Sequence, residues 1–557
     1  MNQSHNIARY LPHMARERPD QPAIIVGAGC DRAGKVIYQQ LTFAELDRES
    51  DAYAWGLTTY GIERGTRVLL MVRPGLPLIS LTFALFKAGC VPIVIDPAMG
   101  RQNLAQCIAE CEPEALIGVE RAQIARLVLR RAFRSVRLSV TVGRRWFWDG
   151  ATLAQLRIPL QTPFELAQTT TDETAAILFT TGSTGVPKGV VYAHGMFEAQ
   201  VQIIRTLYGI EPGEVEMPAF PLFSLFNVAL GLTSAIPDLD PTRPAQCDPR
   251  KIIELIEDQQ VTSSFGSPAI WRRVADYCLR QQIRLPTLRR VLMAGAPVPA
   301  ALHNDMHQIL RGDADTHAPY GATEALPIVS FSGREVLAAQ AEHNDPISGT
   351  CIGRPAPGMT LRIIPIHDQP IATWHDTLAL PPGSIGEITV KGPVVTREYI
   401  HRPESTRLAK IADGDAIWHR MGDVGYFDHQ GRLWFYGRKS QRVILADRTL
   451  YTEPCELVFN RHPLVRRSAL VGIDAADGAQ RPVMVIELHD RQLLAQPAEQ
   501  ARIRAELLAL GAAHPVTAGI DTLLFYESFP VDIRHNAKIF REKLAVWAAS
   551  ELAKPGI

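Results

Sequence analysis

The sequence has 557 residues, of which 46 % are hydrophobic and 21 % are charged, and this composition excludes a disordered chain and a fibrous one. At this length we expect about two to four globular domains. Lysine plus arginine number 58, as do aspartate plus glutamate, so no overall charge draws the surface to a polyanion, and we predict no nucleic-acid partner.

The start of the chain carries charges where a secretory signal peptide has its apolar core. The most apolar stretch, residues 76–95, is interrupted by two prolines, a glycine and a lysine. We therefore predict a cytoplasmic protein without a membrane-spanning helix. The eight cysteines are scattered, and the close pair Cys107 and Cys111 has no second pair at zinc-finger spacing, which favours reduced, structural thiols.

The first half of the chain alternates apolar strand-like runs with helical ones. We predict strands at residues 68–72 and 91–96 around a helix that includes residues 83–87, and further strands at 175–179, 263–265 and 291–293. This alternation predicts an α/β fold with parallel sheets, in which ligands bind beyond the carboxyl ends of the strands.

The pattern becomes shorter and turn-rich from about Gly383, and a segment with its own apolar periodicity begins at about Arg438. We therefore predict a domain of residues 1–437 and a smaller α+β domain of residues 438–557. The sequence contains no internal repeat and no low-complexity linker.

The segment FTTGSTGVPKGV, residues 179–190, has the composition of a phosphate-binding loop. Its hydroxyls and backbone N–H groups can converge on phosphate oxygens, and Lys188 adds a positive charge. The candidate ligand-binding residues are Thr180, Thr181, Gly182, Ser183, Thr184, Gly185 and Lys188. Pro187 and Gly189 flank the lysine, so the segment is not a Walker A loop, and composition alone leaves a flexible surface loop open.

The segment Tyr320-Gly321-Ala322-Thr323-Glu324 combines an aromatic face that can stack on a base with a carboxylate that can hold Mg²⁺. Taken alone it also fits an ordinary loop.

Three charged residues further along the chain could complete a nucleotide site. Asp423, in MGDVGYF, could accept hydrogen bonds from both ribose hydroxyls. Arg438 and Lys538 could neutralise phosphate or carboxylate charge, although each alone also fits a solvated side chain.

In this order the segments resemble the adenylate-forming superfamily of acyl-CoA synthetases, peptide-synthetase adenylation domains and luciferase. The resemblance covers nearly the whole chain. It rests on LTFAELD, ALFKAGCVPIVIDP, the 179–190 loop, MAGAPVP, YGATE, GEITVKG, MGDVGYF, GRKSQRV, HPLV and Lys538. It implies a large N-terminal domain with layered sheets, a small mobile C-terminal domain, and two-step chemistry in which ATP first activates a carboxylate.

The resemblance also implies residue roles. Glu324 would hold Mg²⁺, Thr323 and Lys538 would act at the reacting phosphate, and the hydroxyl loop would bind the β- and γ-phosphates. Adenine would be held by Tyr320, Gly321, Ala322, Gly295, Ala296 and Pro297, and the ribose by Asp423 and Arg438.

The segment at residues 220–236 would line the acyl pocket and contains no carboxylate to meet a substrate ammonium, which favours a long apolar acyl chain. The candidate pocket residues are Phe223, Ser224, Phe226, Asn227 and Gly266. Ser224 stands where CoA ligases usually have histidine, Asp447 where they have glycine, and Ser440 at the usual hinge position. These departures weaken the interpretation as a CoA ligase and leave domain rotation open.

Within the superfamily the sequence most resembles the olefin β-lactone synthetases of bacterial long-chain olefin biosynthesis, through residues 232–246, 419–435 and 529–548. That resemblance implies adenylation of a 2-alkyl-3-hydroxy fatty acid and ring closure by its own hydroxyl, with release of AMP and pyrophosphate. Two alternatives stay open: a long-chain acyl-CoA ligase and a degenerate nucleotide-binding scaffold.

Seven arginines and no acid occur from Arg126 to Arg145. Helical spacing places Arg126, Arg130, Arg134 and Arg137 on one face. This face predicts either a solvated surface or contact with a membrane or an acidic partner, and assembly with other olefin-pathway enzymes is a further expectation.

Overall fold

The structure of the protein, a computed structural model, describes residues 4–96, 99–159, 162–180, 187–240, 243–342, 348–474, 478–531 and 539–554. The predicted loop residues Thr181, Gly182, Ser183, Thr184 and Gly185, and the predicted catalytic Lys538, lie outside these ranges.

The strands, numbered in chain order, are β1 (Pro22–Cys30), β2 (Val36–Thr42), β3 (Arg67–Met71), β4 (Val91–Val94), β5 (Ala115–Gly118), β6 (Leu138–Thr141), β7 (Ala151–Thr152), β8 (Thr174–Phe179), β9 (Gly189–Ala193), β10 (Val215–Pro218), β11 (Thr233–Ile236), β12 (Ser263–Gly266), β13 (Arg290–Met293), β14 (Asp315–His317), β15 (Tyr320–Ala322), β16 (Ala325–Ser330), β17 (Thr350–Pro355), β18 (Thr360–Ile364), β19 (Gly386–Lys391), β20 (Lys410–Asp413), β21 (Ala416–Phe427), β22 (Leu433–Arg438), β23 (Val443–Ile444), β24 (Thr449–Leu450), β25 (Val465–Asp474), β26 (Gln480–Leu488) and β27 (Leu523–Phe525).

The α-helices are α1 (Tyr10–Glu17), α2 (Phe43–Thr59), α3 (Leu76–Lys87), α4 (Arg101–Cys111), α5 (Glu120–Val128), α6 (Leu153–Leu156), α7 (His194–Tyr208), α8 (Ser224–Leu230), α9 (Pro249–Asp258), α10 (Pro268–Gln281), α11 (Ala300–Ile309), α12 (Gly333–Glu342), α13 (Pro403–Ala409), α14 (Thr452–Phe459), α15 (Pro497–Ala512) and α16 (Arg541–Leu552). Short 3₁₀ helices occur at Ile7–Arg9, Pro221–Phe223, Pro244–Gln246, Asp376–Leu378, Lys439–Gln441 and Arg491–Ala495.

The first sheet has the strand order β7-β6-β5-β3-β4-β8-β9 and is parallel except for β9. Its strands are apolar on both faces because helices cover both. Val68 of β3 packs in the same core as Phe83 of α3, whereas the next residue, Leu69, packs in the core that contains Ile108 of α4. This alternation follows from the two-residue period of a strand.

The second sheet has the order β14-β13-β12-β10-β11-β1-β2 and is parallel except for β2. Met217 and Val291 pack against Trp271 of α10 in one core. Because β10, β12 and β13 pair in parallel, their carboxyl ends meet at one edge of the sheet.

The third sheet joins β15-β16-β17-β22-β21-β19-β18, with β20 paired to β21, through antiparallel pairs. Its core contains Ile328, Ile388 and Val395. The hairpin of β15 and β16 carries the Tyr320–Glu324 segment at its tip.

A small sheet, β25-β26-β27, follows the ribbon of β23 and β24. Leu470 and Met484 pack with Leu507 of α15, and on the alternate positions Val471 and Val483 pack with Leu544 of α16. Helices therefore cover both faces of this sheet as well.

The predicted α/β class and the predicted strands are confirmed, with boundaries that differ by one or two residues. Strand β3 pairs in parallel with β4, and α3 connects them. Among the described residues, no helix has both the length and the apolar run needed to cross a bilayer.

The predicted helical face of Arg126, Arg130, Arg134 and Arg137 is wrong. Helix α5 ends at Val128, and the following residues form turns that bury Phe133. Arginines four residues apart would repel one another along a continued helix. The turns avoid this arrangement and bury Phe133. Arg126 is also not free, because its side chain pairs with Asp149.

Candidate active site

The tip of the β15–β16 hairpin places Thr323 and Glu324 against the first sheet. The Tyr192 hydroxyl of β9 donates a hydrogen bond to the Thr323 carbonyl at 2.5 Å. The backbone N–H and hydroxyl of Thr396 donate to the Glu324 carbonyl at 2.9 and 3.0 Å. These bonds fix the backbone of Glu324, so its carboxylate has a defined position.

The Glu324 carboxylate lies among a tyrosine and two lysines. The Tyr399 hydroxyl donates to Glu324 Oε1 at 2.6 Å, and burial together with the Glu324 charge raises the pKa of Tyr399, so this hydroxyl stays protonated. Lys188 Nζ lies 4.9 Å from the centre of the Tyr399 ring. Burial lowers the pKa of Lys188, and the Glu324 charge partly restores it.

The second lysine, Lys410, is buried behind this cluster. Its Nζ donates to Thr396 Oγ1 at 3.1 Å and lies 5.9 Å from the centre of the Tyr399 ring. Burial lowers the pKa of Lys410 to about 7, although the Glu324 charge opposes this shift. A buried ammonium with so few partners is costly to the fold.

The two ends of the predicted phosphate loop are close together. Strands β8 and β9 form an antiparallel ladder that ends with Phe179 opposite Gly189. Thr180 N–H donates to the Lys188 carbonyl at 2.9 Å, and Lys188 N–H donates to Thr180 Oγ1 at 3.2 Å. The ladder therefore holds Lys188 at the base of the loop, next to Glu324.

Tyr320, Asp423 and Arg438 form a second polar cluster on the third sheet. The Tyr320 hydroxyl donates to Asp423 Oδ2 at 2.5 Å, and Arg438 Nη1 lies 3.0 Å from Asp423 Oδ1. Asp423 and Arg438 are opposite each other in the pairing of β21 and β22. Burial and the Asp423 charge raise the pKa of Tyr320 well above its usual value, and the same carboxylate raises the pKa of Arg438.

Glycine is required between Tyr320 and Ala322. A Cβ atom on Gly321 would lie 2.7 Å from the Ala325 carbonyl oxygen and 2.8 Å from Leu326 Cβ. Ala322 is paired with Ala325 where the hairpin closes. The glycine lets the two strands approach, and this approach brings Tyr320 to Asp423.

The predicted adenine residues Gly295, Ala296 and Pro297 directly follow β13, at the carboxyl edge of the second sheet. Gly295 has a φ of +90°, a left-handed conformation that favours glycine. The preceding Ala294 N–H donates to the Gly266 carbonyl at 3.0 Å, which ties this turn to the end of β12.

An aromatic wall stands beside Gly266. The rings of Phe223 and Phe265 stack with their centroids 4.4 Å apart, and Phe226 lies 5.8 Å from Phe223. Phe220 completes the wall, 6.3 Å from Phe265. These residues follow β10 and end β12, so the wall lies at the same sheet edge as Gly295.

Ser224 and Asn227 are buried on α8, the helix that also carries Phe226. Asn227 Nδ2 donates to Ser234 Oγ at 2.9 Å, whereas Ser224 Oγ has no hydrogen-bond partner among the described residues. The bond of Asn227 therefore ties α8 to strand β11 of the second sheet.

The sequence reasoning missed a buried carboxyl group, Glu216. It pairs in register with Ser234 on β11 and with Ser263 on β12, and Asn227 contacts its side chain. Burial raises the pKa of Glu216 to about 7, with Asn227 and Arg290 opposing the shift. Its sequence signal is a glutamate within an otherwise apolar strand, VEMP.

Residues 11–400 match the model of a family described as AMP-binding enzyme. The chain belongs to the AMP-binding enzyme family. Adenylate-forming enzymes of this family use ATP, so the predicted ATP requirement is confirmed.

Two relatives of this AMP-binding enzyme match over its full length, and both are named olefin beta-lactone synthetase. The protein of Xanthomonas campestris pv. campestris is 49 % identical over 553 residues, with 98 % of each chain covered. That of Stenotrophomonas maltophilia is 50 % identical over 564 residues, with 100 % of each covered. The predicted enzymatic class, an adenylate-forming enzyme of the β-lactone synthetase type, is confirmed, and the acyl-CoA ligase alternative is less supported.

Among solved structures, the amide bond synthetase McbA from Marinactinospora thermotolerans superimposes with a TM-score of 0.78 at 23 % identity. The match covers 97 % of this AMP-binding enzyme and 99 % of McbA. At this identity the likeness shows the adenylate-forming fold alone.

Proposed function

We propose that this AMP-binding enzyme converts a long-chain 2-alkyl-3-hydroxy fatty acid into a β-lactone. In the first step a carboxylate oxygen attacks the α-phosphorus of ATP and pyrophosphate leaves. In the second, the 3-hydroxyl oxygen attacks the acyl carbon, AMP leaves, and the hydroxyl proton passes to a base. The observation that carries this proposal is the pair of full-length olefin β-lactone synthetases to which the chain is about half identical.

The tethered hydroxyl explains why a second substrate site is not required. A nucleophile within the same molecule has a high effective concentration at the activated carbonyl, which offsets part of the strain of a four-membered ring. The departures from CoA ligases at Ser224, Ser440 and Asp447 agree with this chemistry, since no pantetheine arm has to pass.

The Glu324 cluster is proposed to bind the triphosphate together with Mg²⁺. Magnesium in proteins is usually held by one or two carboxylates plus substrate phosphates and water. Glu324 fits this pattern. Within the described ranges it belongs to no group of three or more ligating side chains, and its carboxylate is held in place by the Tyr399 hydroxyl. When bound, the ion would screen phosphate charge during the attack. Lys188 would add a second positive charge at the base of the loop.

The Tyr320 cluster is proposed to bind the nucleoside. Asp423 is a buried carboxylate, 2 % exposed, that can accept hydrogen bonds from ribose hydroxyls. Tyr320 holds it from one side and Arg438 from the other. The turn at Gly295 is the proposed contact for adenine.

The aromatic wall is proposed to hold the acyl chain. Phe223, Phe226 and Phe265 present apolar surface without charge, which suits an alkyl chain. Ser224 on α8 and Glu216 on β10 are buried, and their oxygens could receive the polar head of a hydroxy acid.

We also propose that the chain divides near Arg438 and that the part after it carries Lys538 to the α-phosphate. The cores that contain Leu470 and Val471 consist only of residues from Val443 onward. The hydrogen bond from Thr350 Oγ1 to Glu453 Oε1, at 2.5 Å, is one contact between the third sheet and α14. Rotation of the smaller part would bring different surfaces to the adenylate.

The test is product analysis with purified enzyme, ATP, Mg²⁺ and a 2-alkyl-3-hydroxy acid, with and without CoA. We expect AMP, pyrophosphate and a product lighter than the acid by one water, in equal yield in both reactions. A matched 2-alkyl acid without the 3-hydroxyl should still support exchange of pyrophosphate into ATP but give no lactone. A CoA-dependent thioester would replace this proposal with the ligase, and absence of pyrophosphate would favour the scaffold.

The enzyme is further proposed to act in the cytoplasm, where ATP is supplied, and to assemble with other enzymes of olefin synthesis. Both proposals follow from the activity: its substrate and product are poorly soluble, and direct transfer between enzymes would limit their loss.

A further inference from the structure

An exposed aromatic pair projects from the loop between β6 and β7. Phe147 is 77 % exposed and Trp146 is 55 % exposed. Large aromatic side chains are rarely left in water on a protein surface, and their exposure indicates an interaction site.

The loop that carries this pair is hydrogen-bonded to β6 and α5. Trp148 is buried, donates from Nε1 to Thr141 Oγ1 at 2.9 Å, and has its ring centroid 5.4 Å from those of Trp146 and of Phe147. The backbone N–H of Arg144 donates to Glu120 Oε1 at 2.9 Å. These contacts tie the loop to β6 and α5 and leave the side chains of Trp146 and Phe147 exposed.

Helix α5 runs beside this loop and adds exposed apolar residues. Glu120 at its start contacts the beginning of the loop, and Arg126 in its second half pairs with Asp149 at the end of the loop. On the open side of the helix, Val128 is 63 % exposed and Ile124 is 37 % exposed. Apolar side chains thus emerge from two neighbouring elements.

Arginines border these apolar residues. Residues 121–148 contain eight arginines and no acidic residue. Arg121, Arg130, Arg131, Arg144 and Arg145 are exposed. The surface is therefore cationic as well as apolar.

We propose that this surface, centred on Trp146 and Phe147 and bordered by Arg121, Arg144 and Arg145, docks the enzyme onto an anionic lipid membrane. Aromatic side chains enter the interface between headgroups and acyl chains, while arginines bind the lipid phosphates. We commit to a lipid surface because exposed aromatic side chains and arginines occur side by side on this surface, the combination that is typical of interfacial membrane binding. Docking would place the enzyme where long acyl chains are concentrated.

The experiment measures flotation of the full-length enzyme with phosphatidylcholine vesicles that do or do not contain phosphatidylglycerol. We expect binding to the anionic vesicles, weakened by high salt because screening reduces the arginine contribution. Arg144→Gln with Arg145→Gln should weaken binding about 30-fold, since each basic residue near an anionic surface contributes about a fivefold factor. Trp146→Ser with Phe147→Ser should weaken it about tenfold or more, and this loss should persist at low salt.

Two control variants remove side chains of similar exposure elsewhere. Val546→Ser changes an apolar residue that is 73 % exposed on α16, and Arg250→Gln changes an exposed arginine on α9. Both should bind vesicles as the unmodified enzyme does. All variants should release pyrophosphate normally with a short, soluble 3-hydroxy acid, which separates a failure of docking from a failure of the proposed chemistry.

Three results would overturn the docking proposal. These are no binding of the unmodified enzyme to anionic vesicles, equal losses in the control variants, and binding to soluble polyglutamate with no binding to vesicles. The last result would assign the surface to an acidic protein partner.

Discussion

Replacement of Asp423 by asparagine tests the proposed nucleoside site most directly. The change keeps the shape of a side chain that is 2 % exposed but removes its charge. Tyr320 can still donate to the amide oxygen, and Arg438, whose side chain is 38 % exposed, can turn toward water. We therefore expect the variant to fold.

The magnitude follows from the hydrogen bonds at stake. A bond to a charged acceptor contributes about 1 kcal/mol more than a bond to a neutral one. Two ribose hydroxyls on Asp423 would therefore lose about 2 kcal/mol in the variant, or about 30-fold in affinity.

The assay compares ATP with 2′,3′-dideoxy-ATP in pyrophosphate release. In the unmodified enzyme, kcat/KM should fall about 30-fold or more when both ribose hydroxyls are absent. In Asp423→Asn, ATP should be used about as poorly as the dideoxy compound, so the ratio should fall to a few-fold.

Tyr320→Phe is the matched control. It removes the hydroxyl that donates to Asp423 at 2.5 Å and leaves both carboxylate oxygens available to the ribose. The preference for ATP over the dideoxy compound should therefore persist. If Asp423→Asn keeps the full preference, the carboxylate does not contact the ribose, and its bonds to Tyr320 and Arg438 are structural.

Three further predictions concern charged groups at or near the proposed triphosphate site. Glu324→Gln should shift the Mg²⁺ titration of pyrophosphate release to higher Mg²⁺ concentration, because the negative charge is lost. The amide oxygen can still accept the hydrogen bond from Tyr399. An unchanged titration would show that Glu324 has only a structural role. Lys538→Ala should slow adenylation by about 10²-fold, as measured by pyrophosphate exchange. ATP binding, measured by nucleotide titration, should change little. Full exchange activity in a folded variant would show that Lys538 does not act at the α-phosphate. Lys410→Met should raise the melting temperature at pH 7.5. The pKa of Lys410, about 7, lies below its unfolded value of about 10.4, so the native state binds fewer protons between these values and the unmodified enzyme gains stability as pH rises. From pH 7.5 to 9.0 the stability gain of Lys410→Met over the unmodified enzyme should shrink by about 2 kcal/mol, or roughly 2 °C in melting temperature. The control is Lys391→Met, at a partly exposed lysine paired with Asp413, and it should show no such trend.

Helix prediction failed where local pattern and tertiary packing disagreed. The arginine spacing from Arg126 to Arg137 suits a helix, but helix α5 stops at Val128. Burial of Phe133 in the core beside α4 favours a turn there. Periodicity reports the local preference alone, and a buried aromatic side chain outweighs it.

The alternation of strands and helices, the parallel sheets and the segments that carry Tyr320, Glu324 and Asp423 were all predictable from the sequence. These are local properties, since apolar periodicity and short motifs lie within a few residues of one another. Tertiary structure alone decided which groups surround those segments. Tyr399 is 75 residues from Glu324 in the chain, yet its hydroxyl lies 2.6 Å from the carboxylate. Lys410 and Glu216 likewise acquire their shifted pKa values only through burial by distant elements. Desolvation depends on every atom packed around a group, and no local pattern in a sequence records that environment.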